Sequence, residues 1–390
     1  EESEIWGSTT ITLNKGYVFQ IFGGGEAGAV GKGENYNPET GKTEYAYNDD
    51  YSTYINLNGT TSGVARGATG DSPSMAECEF IYGGGFEGII AGDTHIRLGN
   101  GRIFNSFAGS CNADILGHTE TYVGEWTEER TEGSGETETS KTVTVTGFPW
   151  IRDHIYGGND LGGQIKGYAD FTGRIRNEVK SMVHSGNKPQ ATAYMEYTQG
   201  RVRNILGGCF GDYDYTDAAY TTRIANTGKP YLHNAFVNFR PIANNSSSVE
   251  RIFGAGEGYE GDRDGDKSQD HSYVLIDIPG FIDEEQTVKF NNFETTEVFG
   301  AGAYDGLGMR WTAAETFQKA EPATETEAFD LLEASAVIDL MRGRIGAAYG
   351  GSLDEGVTRR TEVNVPQGST IVINNIFGGA YGNHILPPCD

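Results

Sequence analysis

The sequence predicts an all-β fold, a single-stranded right-handed parallel β-helix, with another β-solenoid as the alternative. The first observation is a short phrase made of a β-branched residue, an aromatic residue or Leu, and then small residues. It begins at 21–25 and recurs at 81–85, 155–158, 205–208, 252–256, 298–302 and 376–379, with weaker copies at 106–109 and 348–351. The second observation is that an alternating strand and a turn precede most copies. Recurrence of one strand–turn unit indicates stacked coils.

The elements follow the same order in each unit. In the first, residues 9–13 alternate as a strand with one buried face does, a turn follows at 14–16, and residues 17–22 lead into the glycines. The pattern returns at 191–202, 336–345 and 361–373. Equivalent positions of successive coils should stack about 4.8 Å apart. Ile, Phe and Tyr of the phrase would then form ladders inside the molecule.

The repeat glycines are predicted to be structural. Corners with positive φ and a close approach between coils would both require them. They are Gly23, Gly24, Gly83, Gly84, Gly157, Gly158, Gly207, Gly208, Gly254, Gly300, Gly350 and Gly378. Residues 23–28 and 83–88 also match the G-x-G-x-x-G pattern of nucleotide-binding folds, but no amphipathic helix follows either copy. We therefore do not expect nucleotide binding.

We expect residues 1–390 to form one β-helix domain of about eight to nine irregular coils, because the repeat spans the chain. Loop insertions are predicted near 32–76, 125–142 and 303–335, since stacked coils tolerate loops of different length. A helix signal lies around 328–334, and Pro322 keeps it short.

Composition restricts the partners. Asp and Glu number 55 against 29 Lys and Arg, so the net charge is −26. That charge repels nucleic acid and anionic lipid, and it disfavours polyanionic substrates unless metal ions bridge them. No apolar run approaches the ~18 residues of a transmembrane helix, so no transmembrane segment is expected. The start at residues 1–4 is what a trimmed leader would leave, and a lipid anchor upstream would fit it equally well.

One segment carries a candidate calcium site. Asp262, Asp264, Asp266 and Asp270 place carboxylates at nearly alternate positions around Gly265. Such a turn can direct several oxygens at Ca²⁺. Lys267 and Tyr273 depart from the helix–loop–helix calcium pattern at the positions of its turn glycine and closing Glu. The alternative is a solvated acidic turn.

Two clusters combine aromatic rings with carboxylates, as sugar-binding sites do. They are Tyr47, Asp49, Asp50 and Tyr51, and Asp212, Tyr213, Asp214 and Tyr215. Ordinary loop composition is the alternative for both. No zinc-like His pair or assembled catalytic motif is found, so no catalytic residue is assigned. The four cysteines, Cys78, Cys111, Cys209 and Cys389, allow three disulfide pairings, and Cys209 occupies a small-residue position expected to be buried.

The repeated strand–turn–Arg–Ile/Val–x–x–Ile–Phe/Tyr–Gly–Gly pattern resembles the glycine-repeat β-helix surface proteins of gut Bacteroidetes, over essentially the whole chain. The resemblance implies an adhesin-like protein, often lipid-anchored, at the outer cell surface or outside the cell. It also implies binding without catalysis, with a glycan or a host or matrix surface as the partner.

Two alternatives remain open. One is a carbohydrate-active β-helix enzyme, a polysaccharide lyase or glycoside hydrolase. The sequence does not contain the full set of catalytic motifs expected of such an enzyme, and Asp49 and Asp50 alone do not make up a catalytic site. The other is a structural component of a surface layer, in which an open terminal coil pairs with a partner.

Overall fold

The computed structural model describes most of the chain, and the residues it describes contain no α-helix. The described residues are 3–39, 41–60, 75–132, 139–167, 191–211, 213–215, 223–225, 230–242, 247–258, 269–282, 288–289, 293–304, 307, 336–354, 358 and 360–382.

Short strands make up nearly all of the regular structure, with one 3₁₀ turn at Asp49–Tyr51. The strands are β1 (Glu4–Ile5), β2 (Thr9–Leu13), β3 (Gly16–Phe22), β4 (Ala29–Val30), β5 (Gly33–Asn37), β6 (Lys42–Tyr45), β7 (Thr53–Leu57), β8 (Ala76–Tyr82), β9 (Thr94–Leu98), β10 (Gly101–Phe107), β11 (Thr119–Val123), β12 (Glu125–Glu132), β13 (Thr139–Thr146), β14 (Pro149–Tyr156), β15 (Gln164–Ile165), β16 (Ala193–Tyr197), β17 (Arg201–Leu206), β18 (Tyr213–Tyr215), β19 (Arg223–Ala225), β20 (Tyr231–Phe239), β21 (Ser248–Phe253), β22 (Gln269–Asp277), β23 (Phe281–Ile282), β24 (Val288–Lys289), β25 (Glu297–Phe299), β26 (Ala336–Tyr349), β27 (Thr361–Asn364) and β28 (Thr370–Phe377).

An 18-stranded sheet with parallel pairing is built from two long ladders. The first ladder pairs, in order, β2, β7, β9, β11, β16, β20, β22, the first half of β26, and β27. The second pairs β3, β8, β10, β14, β17, β21, β25, the second half of β26, and β28. A shorter third line passes through Val30, Ile90, Ile115, Ile165 and Leu232. Within each ladder the interior strands therefore pair with the coil before and the coil after, which confirms the parallel β-helix.

The core lies between the ladders. Ile55, Ile96 and Met195 stand at matched positions of the first ladder, and each is almost completely buried. Ile81 and Ile155 are equally buried in the second ladder. Burying one such side chain is worth about 1.5–3 kcal/mol, so stacking many coils supplies the stability that no single coil can.

The aromatic residues of the phrase form a second cluster along one corner. The rings of Phe22, Tyr82, Phe107 and Tyr156 stack with centroids 4.7, 4.9 and 4.8 Å apart. Leu206 interrupts the stack, which resumes at 4.9 Å spacing through Phe253, Phe299, Tyr349 and Phe377. The ring spacing equals the strand spacing because in-register parallel strands place identical side chains one above another. The predicted internal aromatic ladder is confirmed.

The corner glycines do not have positive φ, so that part of the prediction was wrong. They are required because a side chain would strike the next coil. A Cβ on Gly83 would lie 2.1 Å from the Ala108 carbonyl oxygen, and Gly157 has a contact of the same length. Positive φ occurs in the turns between the two ladders, for example at Gly16 (98°) and Gly200 (125°).

The predicted insertions differ in how far they depart from the coils. Residues 32–76 contain β7, a strand of the first ladder, so part of that segment belongs to a coil. The described residues of 125–142, which are 125–132 and 139–142, belong to the antiparallel strands β12 and β13. Most of 303–335, including the helix signal at 328–334, lies outside the described residues.

Candidate functional site

The predicted calcium loop is mostly outside the described residues. This holds for Asp262, Asp264 and Asp266, and only the backbone of Asp270 is described, at the start of β22. Among the side chains that the structure describes, no group of three or more His, Cys, Asp and Glu could hold a metal ion. Calcium binding by this loop stays a prediction.

The second predicted glycan cluster is described only in part. Asp212 lies outside the described residues, and the backbone of Tyr213–Tyr215 forms β18, which pairs antiparallel with β19. Both strands follow the 205–208 phrase in the chain and form a two-stranded sheet separate from the ladders. Contact between this hairpin and a glycan stays a prediction.

The first predicted glycan cluster lies beside the first ladder. Asp49, Asp50 and Tyr51 form the 3₁₀ turn, and both aspartates are exposed. Tyr51 is half-buried against the apolar residues of the third line, so its ring supports the fold. Tyr47 is 52% exposed, and its hydroxyl donates to Asp93 Oδ2 at 3.2 Å. The cluster thus splits into a structural tyrosine, two exposed acids and a tyrosine anchored to a buried acid.

Tyr47 is one end of a polar chain of five side chains. His95 Nδ1 lies 3.1 Å from Glu120 Oε2, and Glu120 Oε1 lies 2.8 Å from His118 Nε2. His118 Nδ1 lies 2.9 Å from Asp93 Oδ1, whose carboxylate Tyr47 contacts. Both ring nitrogens of His118 therefore face carboxylate oxygens, one of Asp93 and one of Glu120.

The carboxylates of the polar chain are buried but compensated. Burial pushes the pKa of Asp93 upward, while the hydrogen bonds and charge of His118 outweigh it and hold that pKa below its ordinary range. Asp93 and Glu120 are only 8% and 5% exposed at their side chains. Each has histidine or tyrosine partners within hydrogen-bonding distance, as buried polar groups require. We interpret the polar chain as a brace between coils, because its groups are directed at one another.

A cavity of about 260 Å³, the Arg102 cavity, opens on the second ladder. Four adjacent strands, β3, β8, β10 and β14, supply its lining. Its polar and aromatic lining residues are Tyr17, Glu77, Glu79, Arg102, Phe104 and Arg152. Two cations face two anions and two aromatic rings, so the cavity is close to neutral in a chain of net charge −26. Such a mixture suits a neutral ligand that is rich in hydrogen-bonding groups.

Arg102 is held between the strands on either side of it. Its Nη1 donates to Glu77 Oε1 at 3.1 Å, and its Cζ lies 4.6 Å from the centroid of the Trp150 ring. The register brings Glu77, Arg102 and Trp150 to matched positions of β8, β10 and β14. The guanidinium Nε is buried and has no hydrogen-bond partner within the described residues. A buried donor left unpaired costs about 1–3 kcal/mol, which a ligand oxygen could recover.

Arg152 reaches the cavity through an irregularity in β14. The register between β10 and β14 shifts between Ile103 and Ser106, so β14 has an extra residue in this stretch. Asn105 Oδ1 accepts a 2.8 Å hydrogen bond from the displaced His154 backbone N–H. The Arg152 Cζ lies 5.6 Å from the centroid of Phe104, beside the cavity. Bulges redirect side chains in this way next to binding sites.

Cys78 also lines the cavity but does not supply a nucleophile. Its Sγ lies 3.1 Å from the Phe80 carbonyl oxygen. Burial raises the pKa of the Cys78 thiol to about 12, so the thiolate is scarce at neutral pH. Cys78, Cys111 and Cys209 are all buried, which confirms the burial expected for Cys209.

Comparison with known proteins finds no matching family model, no matching curated protein and no matching solved structure. In the described part of the chain, no helical segment has the length and apolar character that a membrane crossing requires.

The Arg102 cavity was missed by reasoning from the sequence. Arg102 was visible only as the arginine that precedes an apolar residue in several repeat units. Its partners Glu77 and Trp150 lie 25 and 48 positions away along the chain. They come together only because the lengths of the coils place them at matched positions of adjacent strands. Nothing in the residues around Arg152 marks the bulge, because it is a mismatch between two strands and not a local pattern.

Proposed function

We propose that this chain is a non-enzymatic binding protein of the cell surface, and that the Arg102 cavity recognises a glycan carried by a host or matrix surface. The observation that supports this most is the cavity itself, where two arginines, two glutamates and two aromatic side chains converge on about 260 Å³. It is smaller than the ~300–1,000 Å³ that drug-sized ligands occupy, which suits a short stretch of sugar.

The lining provides the contacts that sugars use. Arginine donors and glutamate acceptors can pair with vicinal hydroxyls, while Tyr17 and Phe104 offer ring faces to the apolar side of a pyranose. The two arginines and the two glutamates of the lining balance one another in charge. An uncharged glycan therefore fits the cavity better than a polyuronate. The net charge of −26 further disfavours a polyanion.

Among the described residues that line the Arg102 cavity, none is a dedicated nucleophile, which favours binding over turnover. The Cys78 thiol is protonated at neutral pH, and Glu77 is engaged by Arg102. A glycosidase or lyase would need an acid and a base placed around one scissile bond. A carbohydrate-active enzyme is the alternative function, and an assay for polysaccharide cleavage distinguishes it from a binding protein.

Isothermal titration with a panel of neutral oligosaccharides tests the proposal. We expect one class of ligand to bind, and Arg102→Ala to weaken that binding by about tenfold to a hundredfold. Arg102→Lys should recover part of the affinity, because it keeps the charge but loses the planar fork. The matched control is Arg344→Ala, an exposed arginine of the same ladder paired with Glu294 at 3.0 Å. It should bind like the wild type.

Two results would contradict the proposal. One is that no oligosaccharide binds the wild type, and the other is that Arg344→Ala weakens binding as much as Arg102→Ala. Release of new reducing ends from a polysaccharide panel, lost in Arg102→Ala, would replace the binding function with the enzymatic one. Melting curves of each variant separate lost binding from lost folding.

A further inference from the structure

We propose that the glycan held in the Arg102 cavity is zwitterionic, with a free amino group that binds Glu79 and an acidic group that binds Arg152. This proposal rests on the function proposed above and specifies the ligand of the same site. Glu79 lies on β8 and Arg152 on β14, and each of these strands pairs with a neighbour on both sides within the second ladder.

The side chains of the cavity stand in two rows that run across the strands. The register places the first row at matched positions of β3, β8 and β10, where it consists of Tyr17, Glu77 and Arg102. The second row lies two residues further along each strand and consists of Glu79, Phe104 and Arg152. Side chains two residues apart in a strand point to the same face, so both rows face one cavity. The two rows differ in how their charges are paired.

The charges of the first row neutralise each other. Arg102 Nη1 donates to Glu77 Oε1 at 3.1 Å, because the two residues are direct neighbours across β8 and β10. A charged ligand group placed here would have to compete with this ion pair. The first row therefore suits uncharged hydroxyl groups, one of which can accept from the buried Arg102 Nε.

The charges of the second row are held apart from each other. Phe104 lies on β10, the strand between those of Glu79 and Arg152, so the backbones of the two charged residues are two strand spacings apart, about 10 Å. Neither charged side chain has an ion-pair partner within the described residues. The second row thus presents one acid and one base to the cavity, each without a counter-charge in this part of the chain.

The Phe104 ring positions the arginine of this row. Arg152 Cζ lies 5.6 Å from the ring centroid, within the distance of a cation–π contact. Such a contact engages the charge of a guanidinium and leaves its N–H donors for an acceptor. Phe104 is itself supported by Phe80, edge to face at a centroid distance of 6.0 Å. Arg152 is therefore restrained next to the cavity with its hydrogen-bonding edge available.

A ligand that matches the second row carries opposite charges on either side of an apolar face. A carboxylate can accept from the Arg152 guanidinium in a bidentate pair, and an ammonium group can donate to Glu79. The apolar side of a pyranose can lie on Phe104 between them. A ligand with charges of one sign would satisfy one of the two residues and be repelled by the other. A hexuronic acid linked to a hexosamine with a free amino group has the required pattern and no net charge.

Isothermal titration with four forms of one such disaccharide tests this proposal. The amino group is either free or N-acetylated, and the carboxyl group is either free or methyl-esterified. We expect the form with both groups free to bind the wild type about tenfold or more tightly than either singly charged form. Raising NaCl from about 50 mM to about 500 mM should reduce this preference, because salt screens partly exposed charge pairs.

Two variants separate the roles of the charged residues. Glu79→Gln should lose the preference for the free amino group and keep that for the free carboxyl group, and Arg152→Gln should do the reverse. A loss specific to one ligand group is not expected of residues that only support the fold. The matched controls are Glu250→Gln and Arg344→Gln, partly or fully exposed charges of the same ladder outside the cavity lining, and both should bind like the wild type. Melting curves confirm that each variant is folded.

Failure of this proposal differs from failure of the proposed function. Equal binding of all four forms to the wild type would overturn the zwitterionic ligand and leave glycan recognition standing. Variants that both lose the same preference, or neither, would also overturn it. If none of the four forms binds while a neutral oligosaccharide does, only the zwitterionic ligand is overturned. If no saccharide of either kind binds, both proposals are overturned together.

Discussion

The hydroxyl of Thr53 donates a 2.6 Å hydrogen bond to the carbonyl oxygen of Gly83, across the interior of one coil. Both groups are buried. The same tie joins Thr94 to Ala108 at 2.6 Å in the next coil. These bonds connect the start of a first-ladder strand to the corner that ends the second-ladder strand, so a side chain and a backbone carbonyl of the same coil close these coils.

Thr53→Val should lower the free energy of unfolding by about 1–3 kcal/mol, because it removes the donor and keeps the side-chain volume. Urea unfolding followed by circular dichroism measures the change. Thr10→Val, at the exposed neighbouring position of β2, is the matched control and should change stability by less than about 0.5 kcal/mol. Equal effects of the two substitutions would contradict a stabilising role for the buried tie.

Gly157→Ala should be destabilising by about 1–3 kcal/mol or more, because its Cβ would lie 2.1 Å from the Gly207 carbonyl oxygen. Gly378→Ala occupies the equivalent corner with no atom within 4 Å of the added carbon, and should leave stability nearly unchanged. Thermal melts at low protein concentration make the comparison. A harmless Gly157→Ala would show that contact between coils is not what requires glycine there.

The Asp93 carboxyl should make stability depend on pH in the acid range. Its pKa in the folded chain is below the ordinary value of 3.8, so its contribution to stability is present above that value. The contribution is lost as the pH falls through the lower folded-state pKa. Asp93→Asn should therefore lower stability at neutral pH by about 1–3 kcal/mol and flatten the loss of stability below about pH 4.

Midpoints of urea unfolding, measured from neutral pH down into the acid range, check this prediction. Tyr47→Phe removes only a neutral donor to the same carboxylate and should keep most of the pH dependence. An Asp93→Asn profile parallel to that of the wild type would show that this carboxyl does not contribute to it.

The buried thiols should resist alkylation in the folded protein. Burial raises the pKa of Cys78 to about 12, and Cys111 and Cys209 are also buried. Iodoacetamide at mildly alkaline pH should leave these three unmodified, because thiolate and access are both lacking. Peptide mass mapping before and after guanidinium denaturation assigns the sites. Rapid labelling of Cys78 in the folded protein would contradict this, because it would show that iodoacetamide enters the Arg102 cavity and reaches the thiol.

The repeat could be predicted from the sequence because it repeats a physical requirement. Phe22, Tyr82 and Phe107 recur because stacked coils bury the same side chain each time. The reason for the glycines was only half predicted. The close approach of neighbouring coils at the corner glycines is confirmed. Positive φ is found instead at Gly16 and at other glycines in the turns between the two ladders, such as Gly200. Local residue type does not distinguish these two uses of glycine.

The candidate site could not be predicted in the same way. Tyr47 was predicted as a ligand contact from the mixture of residues around it, whereas its hydrogen bond to Asp93 depends on which turn faces which strand. Glu77, Arg102 and Trp150 meet because the intervening loops have the lengths that keep three strands in register. The bulge that aims Arg152 depends on a single extra residue between paired positions of two strands.

The sequence by itself determined the β-helix, the position of its ladders and the small residues at its corners, because each of these is repeated along the chain. The tertiary structure alone decided where a cavity opens and which side chains line it. Those features depend on contacts between residues far apart in the chain, and such contacts follow from the stacking register and not from any local pattern.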